Sequence, residues 1–123
     1  MSNSRADYPN IPHDFPITPT NTALGGAHPK IALIQENGKF YLPGTSPTEV
    51  LGVFQMCEDL VAQLVPYSQR KLDEFGGDQN AAAKAIFQGL LAKRWCSVEQ
   101  SIWVMLKTVH QLGWPVLEND FRN

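Results

Sequence analysis

Asn37-Gly38 stands between two apolar runs, Lys30-Ile31-Ala32-Leu33-Ile34-Gln35-Glu36 before it and Lys39-Phe40-Tyr41-Leu42 after it. A two-residue loop of this composition closes a type I′ turn, because both central residues need φ > 0 and asparagine and glycine reach it at least cost. The loop length fixes the register. Glu36 faces Lys39, Gln35 faces Phe40, Ile34 faces Tyr41 and Leu33 faces Leu42. Opposite charges at the mouth and apolar pairs further down form a consistent set of cross-strand partners. The pattern predicts a hairpin over about residues 30–42. Such a hairpin is marginal in water by itself, so the remaining chain must pack on it.

The remaining chain reads as helix. Ser46-Pro47-Thr48-Glu49 is a capping box with proline at the first helical position. Behind it, Val50, Val53, Phe54, Cys57, Leu60, Val61 and Leu64 recur three or four residues apart, one apolar face of a helix. Pro66 is expected to kink or end that helix, with a second piece from about Tyr67 to Phe75 before the stop at Gly76-Gly77. Asp78 caps the next helix, in which Ile86, Phe87, Leu90 and Leu91 supply the buried stripe and Lys93-Arg94 the end. Ser97-Val98-Glu99-Gln100 is another capping box. Ile102, Met105, Leu106, Val109 and Leu112 then share one face, and Gly113 and Pro115 terminate the last helix. In the tail, Val116, Leu117 and Phe121 are available to pack.

The N-terminal residues 1–22 read differently. Pro9, Pro12, Pro16 and Pro19 disfavour helix and central strand alike. Tyr8, Ile11, Phe15 and Ile17 alternate with them, and a solvated tail has little use for four large apolar groups. The expectation is an extended, polyproline-like arm, with residues 8–19 docked on the domain or exchanged with a second copy in a homodimer; the alternative is a free arm that awaits a partner. The expected fold class is α+β: this arm, then a single domain over residues 23–123 made of one hairpin and a three- to four-helix bundle.

Bulk properties narrow the function. The 123 residues carry 10 basic and 12 acidic side chains, a formal charge of −2, with no basic block. Proteins that live on nucleic acid usually show a basic footprint, so nucleic acid is disfavoured as a partner. Cys57 and Cys96 form no CxxC pair and stand in no metal-ligand spacing with histidine, so they read as two reduced, buried thiols. The N-terminus lacks an apolar signal region, and no apolar run approaches the roughly 18 residues of a membrane span. A cytoplasmic protein with no cofactor, no metal and no membrane association is expected.

The most suggestive segment for ligand chemistry is Gly25-Gly26-Ala27-His28-Pro29-Lys30. Two glycines let backbone N–H groups approach a phosphate, and Lys30 stands at the end, although it leads into a strand and not into the helix of a P-loop. Gly25, Gly26, His28 and Lys30 are therefore candidate ligand-binding residues. Residues 23–60, from Ala23-Leu24-Gly25-Gly26 through Pro43-Gly44 to Met56-Cys57-Glu58-Asp59-Leu60, resemble the N-lobe hairpin of HipA-type serine/threonine kinases. The chain also looks similar to short bacterial proteins that share a Tyr-Pro-x-Ile-Pro opening and a Cys-Glu-Asp-Leu helix. The kinase resemblance implies a phosphate- or nucleotide-binding module, with Gly25, Gly26 and Lys30 as its loop. The chain departs from that family at His28, where the family has glutamine. It also starts a helix at Pro47, where the family has its lysine-bearing strand, and no aspartate–asparagine catalytic loop follows.

Other features point toward protein contacts. His13, His28 and His110 are scattered and accompany no nucleophile motif. Glu58-Asp59 and Asp73-Glu74 are adjacent pairs whose side chains diverge on a helix, which suits a solvated or partner-steering face better than paired-carboxylate catalysis. Of Trp95, Trp103 and Trp114, Trp103 lies off the Met105/Val109 stripe, so it either stands exposed as an interface anchor or covers one edge of a small core. The segments 79–93 and 98–112 have helix-turn-helix spacing, but the second offers only Lys107 as a basic group, so DNA binding is the third reading. The leading expectation is a non-catalytic protein-binding module, such as an inhibitor, immunity or antitoxin-like protein. Its candidate partner-binding residues are Tyr8, Phe15, Glu58, Asp59 and Trp103.

Overall fold

In a computed structural model, residues 5–19 and 33–122 are described. They contain one antiparallel hairpin and three α-helices, an α+β architecture. The strands are β1, Ile34–Glu36, and β2, Lys39–Tyr41; the helices are α1, Pro47–Glu74, α2, Gln79–Lys93, and α3, Val98–Leu112. The chain divides into two compact units, residues 1–54 and 55–123, with the boundary inside α1. Among the described residues no helix is long and apolar enough to cross a membrane.

In the first unit the hairpin forms in the expected register, Ile34 with Tyr41, Gln35 with Phe40 and Glu36 with Lys39. Asn37 and Gly38 take φ of 53° and 77°, the left-handed pair that a type I′ turn requires. The expected extension of the first strand to residues 30–32 lies outside the described residues. The capping box at α1 is also present: Glu49 N–H donates to Ser46 Oγ, and Ser46 N–H donates back to Glu49 Oε1. Glu36 reaches across to accept from the Thr48 N–H at 3.2 Å, which ties the hairpin to the first turn of α1.

Residues 5–15 are not extended. Arg5–Asp7 is a 3-10 turn, and successive backbone bonds, Tyr8 N–H to Arg5, Ile11 N–H to Tyr8 and Phe15 N–H to Pro12, coil the chain through further tight turns. Proline favours this as readily as polyproline, since its fixed φ suits the second position of a turn. The coil buries Tyr8, Ile11 and Phe15. The Tyr8 ring meets Tyr41 edge-on at 6.4 Å, and the Phe15 ring meets Phe54 edge-on at 5.3 Å. Arg5 donates to the Phe15 carbonyl at 2.9 Å, and Asp7 pairs with Lys39 at 2.7 Å.

In the second unit, α2 and α3 are the closely packed helices. Asp78 accepts from the Ala81 N–H, and Ser97 and Gln100 form a reciprocal capping box, as the sequence predicts. The core draws on Cys57, Leu60 and Val61 of α1, Ile86, Phe87 and Leu90 of α2, and most of α3. The buried part of α3 is wider than one stripe, since Ser101, Trp103, Val104 and Thr108 are buried beside Ile102, Met105 and Val109. The tail closes on this core: Phe121 stacks edge-on against Phe87 at 5.2 Å, and Val116 is buried while Leu117 stays exposed.

Pro66 neither ends nor splits α1, contrary to the sequence expectation. A proline inside a helix costs about 3 kcal/mol, chiefly because the carbonyl four residues earlier loses its donor. Here that carbonyl belongs to Ala62, and Ala62 and Pro66 both lie on an exposed face, where water can serve it. Val61 and Ser68 on the other side remain buried, so packing holds the helix through the interruption.

Candidate functional site

A concavity lies within the second unit, between the C-terminal half of α1 and the side of α2 that carries Ala85, Ile86, Gly89 and Leu90. It is an open groove of about 1020 Å³. The floor is aliphatic, from Leu60 and Leu64 of α1 and Ile86 and Leu90 of α2. Small residues make the space. Ala85 and Gly89 face it from α2, and a Cβ placed at Gly89 would meet nothing within 4 Å.

The rim is aromatic and basic. Tyr67 is 41% exposed and Trp95 is 54% exposed, both unusually open for rings of this size. Arg70 and Lys71 stand 6.0 Å from the centroid of the Tyr67 ring, and Lys93 stands 5.8 Å from that of Trp95. These are weak cation–π contacts at a wet surface, but they hold cations and rings side by side. Lys71 also pairs with Glu74 at 2.8 Å, which raises the lysine pKa through that hydrogen bond. No aspartate or glutamate lines the groove. The apolar floor and cationic rim suit an apolar ligand surface flanked by negative charge.

The residues singled out from sequence fall elsewhere. Gly25, Gly26, His28 and Lys30 lie outside the described residues. Tyr8 and Phe15 are committed to the core of the first unit, where Tyr8 also donates its hydroxyl proton to the buried Thr45 carbonyl, so neither offers a surface to a partner. Trp103 is 7% exposed and belongs to the core, with Lys107 laid over its ring at 5.5 Å. Of the two readings of Trp103 the exposed one is corrected and the core one holds, because α3 is buried over more of its circumference than its aliphatic stripe suggests. Glu58 and Asp59 are exposed on α1, as a solvated face should be, and neither lines the groove. His13 and His110 are exposed and far apart in sequence. Among the described residues, no group of three or more histidine, cysteine or carboxylate side chains could hold a metal ion.

Sequence reasoning missed Tyr67, Trp95 and Gly89. Trp95 falls between two helices, outside any apolar periodicity. A large ring placed there, beside Lys93-Arg94 and after an alanine- and glycine-containing helix, is the signal that could have found it. Comparison of the chain with protein-family models, with curated proteins and with solved structures gave no match.

Proposed function

We propose that the chain is a protein-binding module whose groove seats an acidic amphipathic helix of another protein. The observation that carries this reading is the aliphatic groove rimmed by Tyr67, Trp95, Arg70 and Lys93, with no acidic side chain in its lining. Its α1 wall runs from Leu60 to Lys71, about 16 Å at the helical rise, which matches three turns of a docked helix. Exposed aromatics beside such a floor are typical interface anchors, and the rim cations select the sign of the partner's charge.

The test is a titration with a synthetic helical peptide bearing leucines at i, i+3, i+4 and i+7 and glutamates on the flanks. Saturable amide shifts along residues 60–71 and 85–95, abolished by Gly89→Phe, are expected. Gly89→Phe fills the groove without a clash at the backbone, because the space there is open. Equal binding by Gly89→Phe, or no saturable shift in the native protein, counts against the reading.

A further inference from the structure

Among the described residues of the second unit, four large apolar side chains are exposed: Tyr67, Trp95, Val98 and Leu117. Tyr67 and Trp95 belong to the rim of the groove. Val98 and Leu117 do not line it, and they are the more open pair, at 58% and 69%. Val98 opens α3, and Leu117 immediately precedes the C-terminal 3-10 turn Glu118–Asp120. Arg122 ties the two places together. Its guanidinium holds Glu99 and Glu118 at once, and these carboxylates are the chain neighbours of Val98 and Leu117. Asp120 joins the cluster by accepting from the Leu117 N–H at 2.8 Å. Three carboxylates against one guanidinium leave the cluster acidic. Two bare aliphatic side chains thus flank an acidic cluster, the converse of a groove with an aliphatic floor and a cationic rim. Trp95 and Val98 lie on the short connection from α2 into α3, so rim and acidic patch adjoin.

We propose that this patch is a self-association surface: in a two-fold dimer, Val98 and Leu117 of each copy seat on the aliphatic floor of the other's groove, with Glu99 and Glu118 toward its Arg70 and Lys93. The occupant is a second copy of the chain, and charge complementarity between acidic patch and cationic rim selects it. A molecule that carries two complementary surfaces side by side can pair about a two-fold axis, each copy giving its patch to the other's groove. Both grooves are then covered and the assembly closes at two copies. The proposal rests on the reading of the groove as a seat for an acidic apolar surface, and it adds a form of regulation. A groove covered by a second copy is closed to a partner helix, so the partner competes with the dimer, and its apparent affinity falls as the protein concentration rises.

Sedimentation velocity of the full chain over a concentration series, alone and with the leucine- and glutamate-bearing peptide, tests this. A reversible monomer–dimer equilibrium with no larger species is expected, and saturating peptide is expected to return it to monomer. Leu117→Lys sets a cation against the opposite rim. It is expected to weaken the dimer by about tenfold or more and to bind the peptide at least as tightly as the native protein, since no second copy competes. The Leu117 side chain is exposed, so the fold does not depend on it. Gly89→Phe is expected to abolish both the dimer and peptide binding. A native protein that stays monomeric at every concentration yet binds the peptide overturns the second-copy proposal and leaves the groove reading standing; one that neither dimerises nor binds the peptide overturns both. A dimer that survives Leu117→Lys, Gly89→Phe or saturating peptide, or an assembly that grows beyond two copies, also overturns the proposal.

Discussion

The Arg122 guanidinium closes on the Glu99 carboxylate through two N–H···O bonds, of 2.9 and 2.8 Å, while its Nε donates to Glu118 at 2.7 Å. One arginine thus fastens the C-terminal turn to the first turn of α3. The bidentate geometry distinguishes this pair from ordinary surface ion pairs.

The pH dependence of stability follows from it. The hydrogen bonds from Arg122 lower the Glu99 pKa below the ordinary 4.5. A carboxylate whose folded pKa is depressed stabilises the fold in full above its unfolded value, and that contribution fades as the pH falls through the folded one. Arg122→Met is expected to lower the melting temperature at neutral pH and to make the loss on acidification below 4.5 shallower than in the native protein. Parallel melting curves at every pH contradict the pairing.

The N-terminal coil is part of the core of its unit. Phe15 is wholly buried against Phe54. Phe15→Ala is expected to cost about 3–5 kcal/mol in urea unfolding, from lost burial and the cavity left behind. Tyr8→Phe is expected to cost about 1–3 kcal/mol, because it leaves the buried Thr45 carbonyl without its donor. Deletion of residues 1–19 with no change in the unfolding midpoint contradicts both.

Two glycines give opposite outcomes. Gly38 sits at φ of 77°, so Gly38→Val is expected to destabilise by about 1 kcal/mol or more despite the open space around it. Gly52 is helical, and a Cβ added there would meet nothing within 4 Å. Gly52→Ala is expected to stabilise by about 0.8–1 kcal/mol through helix propensity. The check is the pair of unfolding midpoints, and shifts of the same sign contradict the backbone assignments.

The hairpin register and the three helix starts were legible in the sequence because each is set by a few neighbouring residues: Asn37-Gly38, Ser46 with Glu49, Asp78, and Ser97 with Gln100. What was not legible depends on which way a face turns. Pro66 is tolerated because Ala62 beside it faces water, and proline chemistry alone does not carry that information. Trp103 is buried because α3 is covered over most of its girth, a consequence of tertiary packing. The prolines of residues 9–16 fit turns as well as extended chain, and the burial of Tyr8 and Phe15 decides between them. The groove was invisible for the same reason: Leu60, Tyr67, Gly89 and Trp95 become one surface only when α1 and α2 stand side by side.

The sign of the charge on the partner helix is the most direct test of the groove. Arg70→Glu with Lys93→Glu reverses the rim without touching the aliphatic floor. Affinities of the native and reversed proteins are measured by calorimetry for the glutamate-flanked peptide and for its lysine-flanked counterpart. The account predicts that the native protein prefers the acidic peptide by about tenfold or more, equivalent to about 1.4 kcal/mol, and that the reversed protein inverts the preference. Equal affinity of both proteins for both peptides contradicts it.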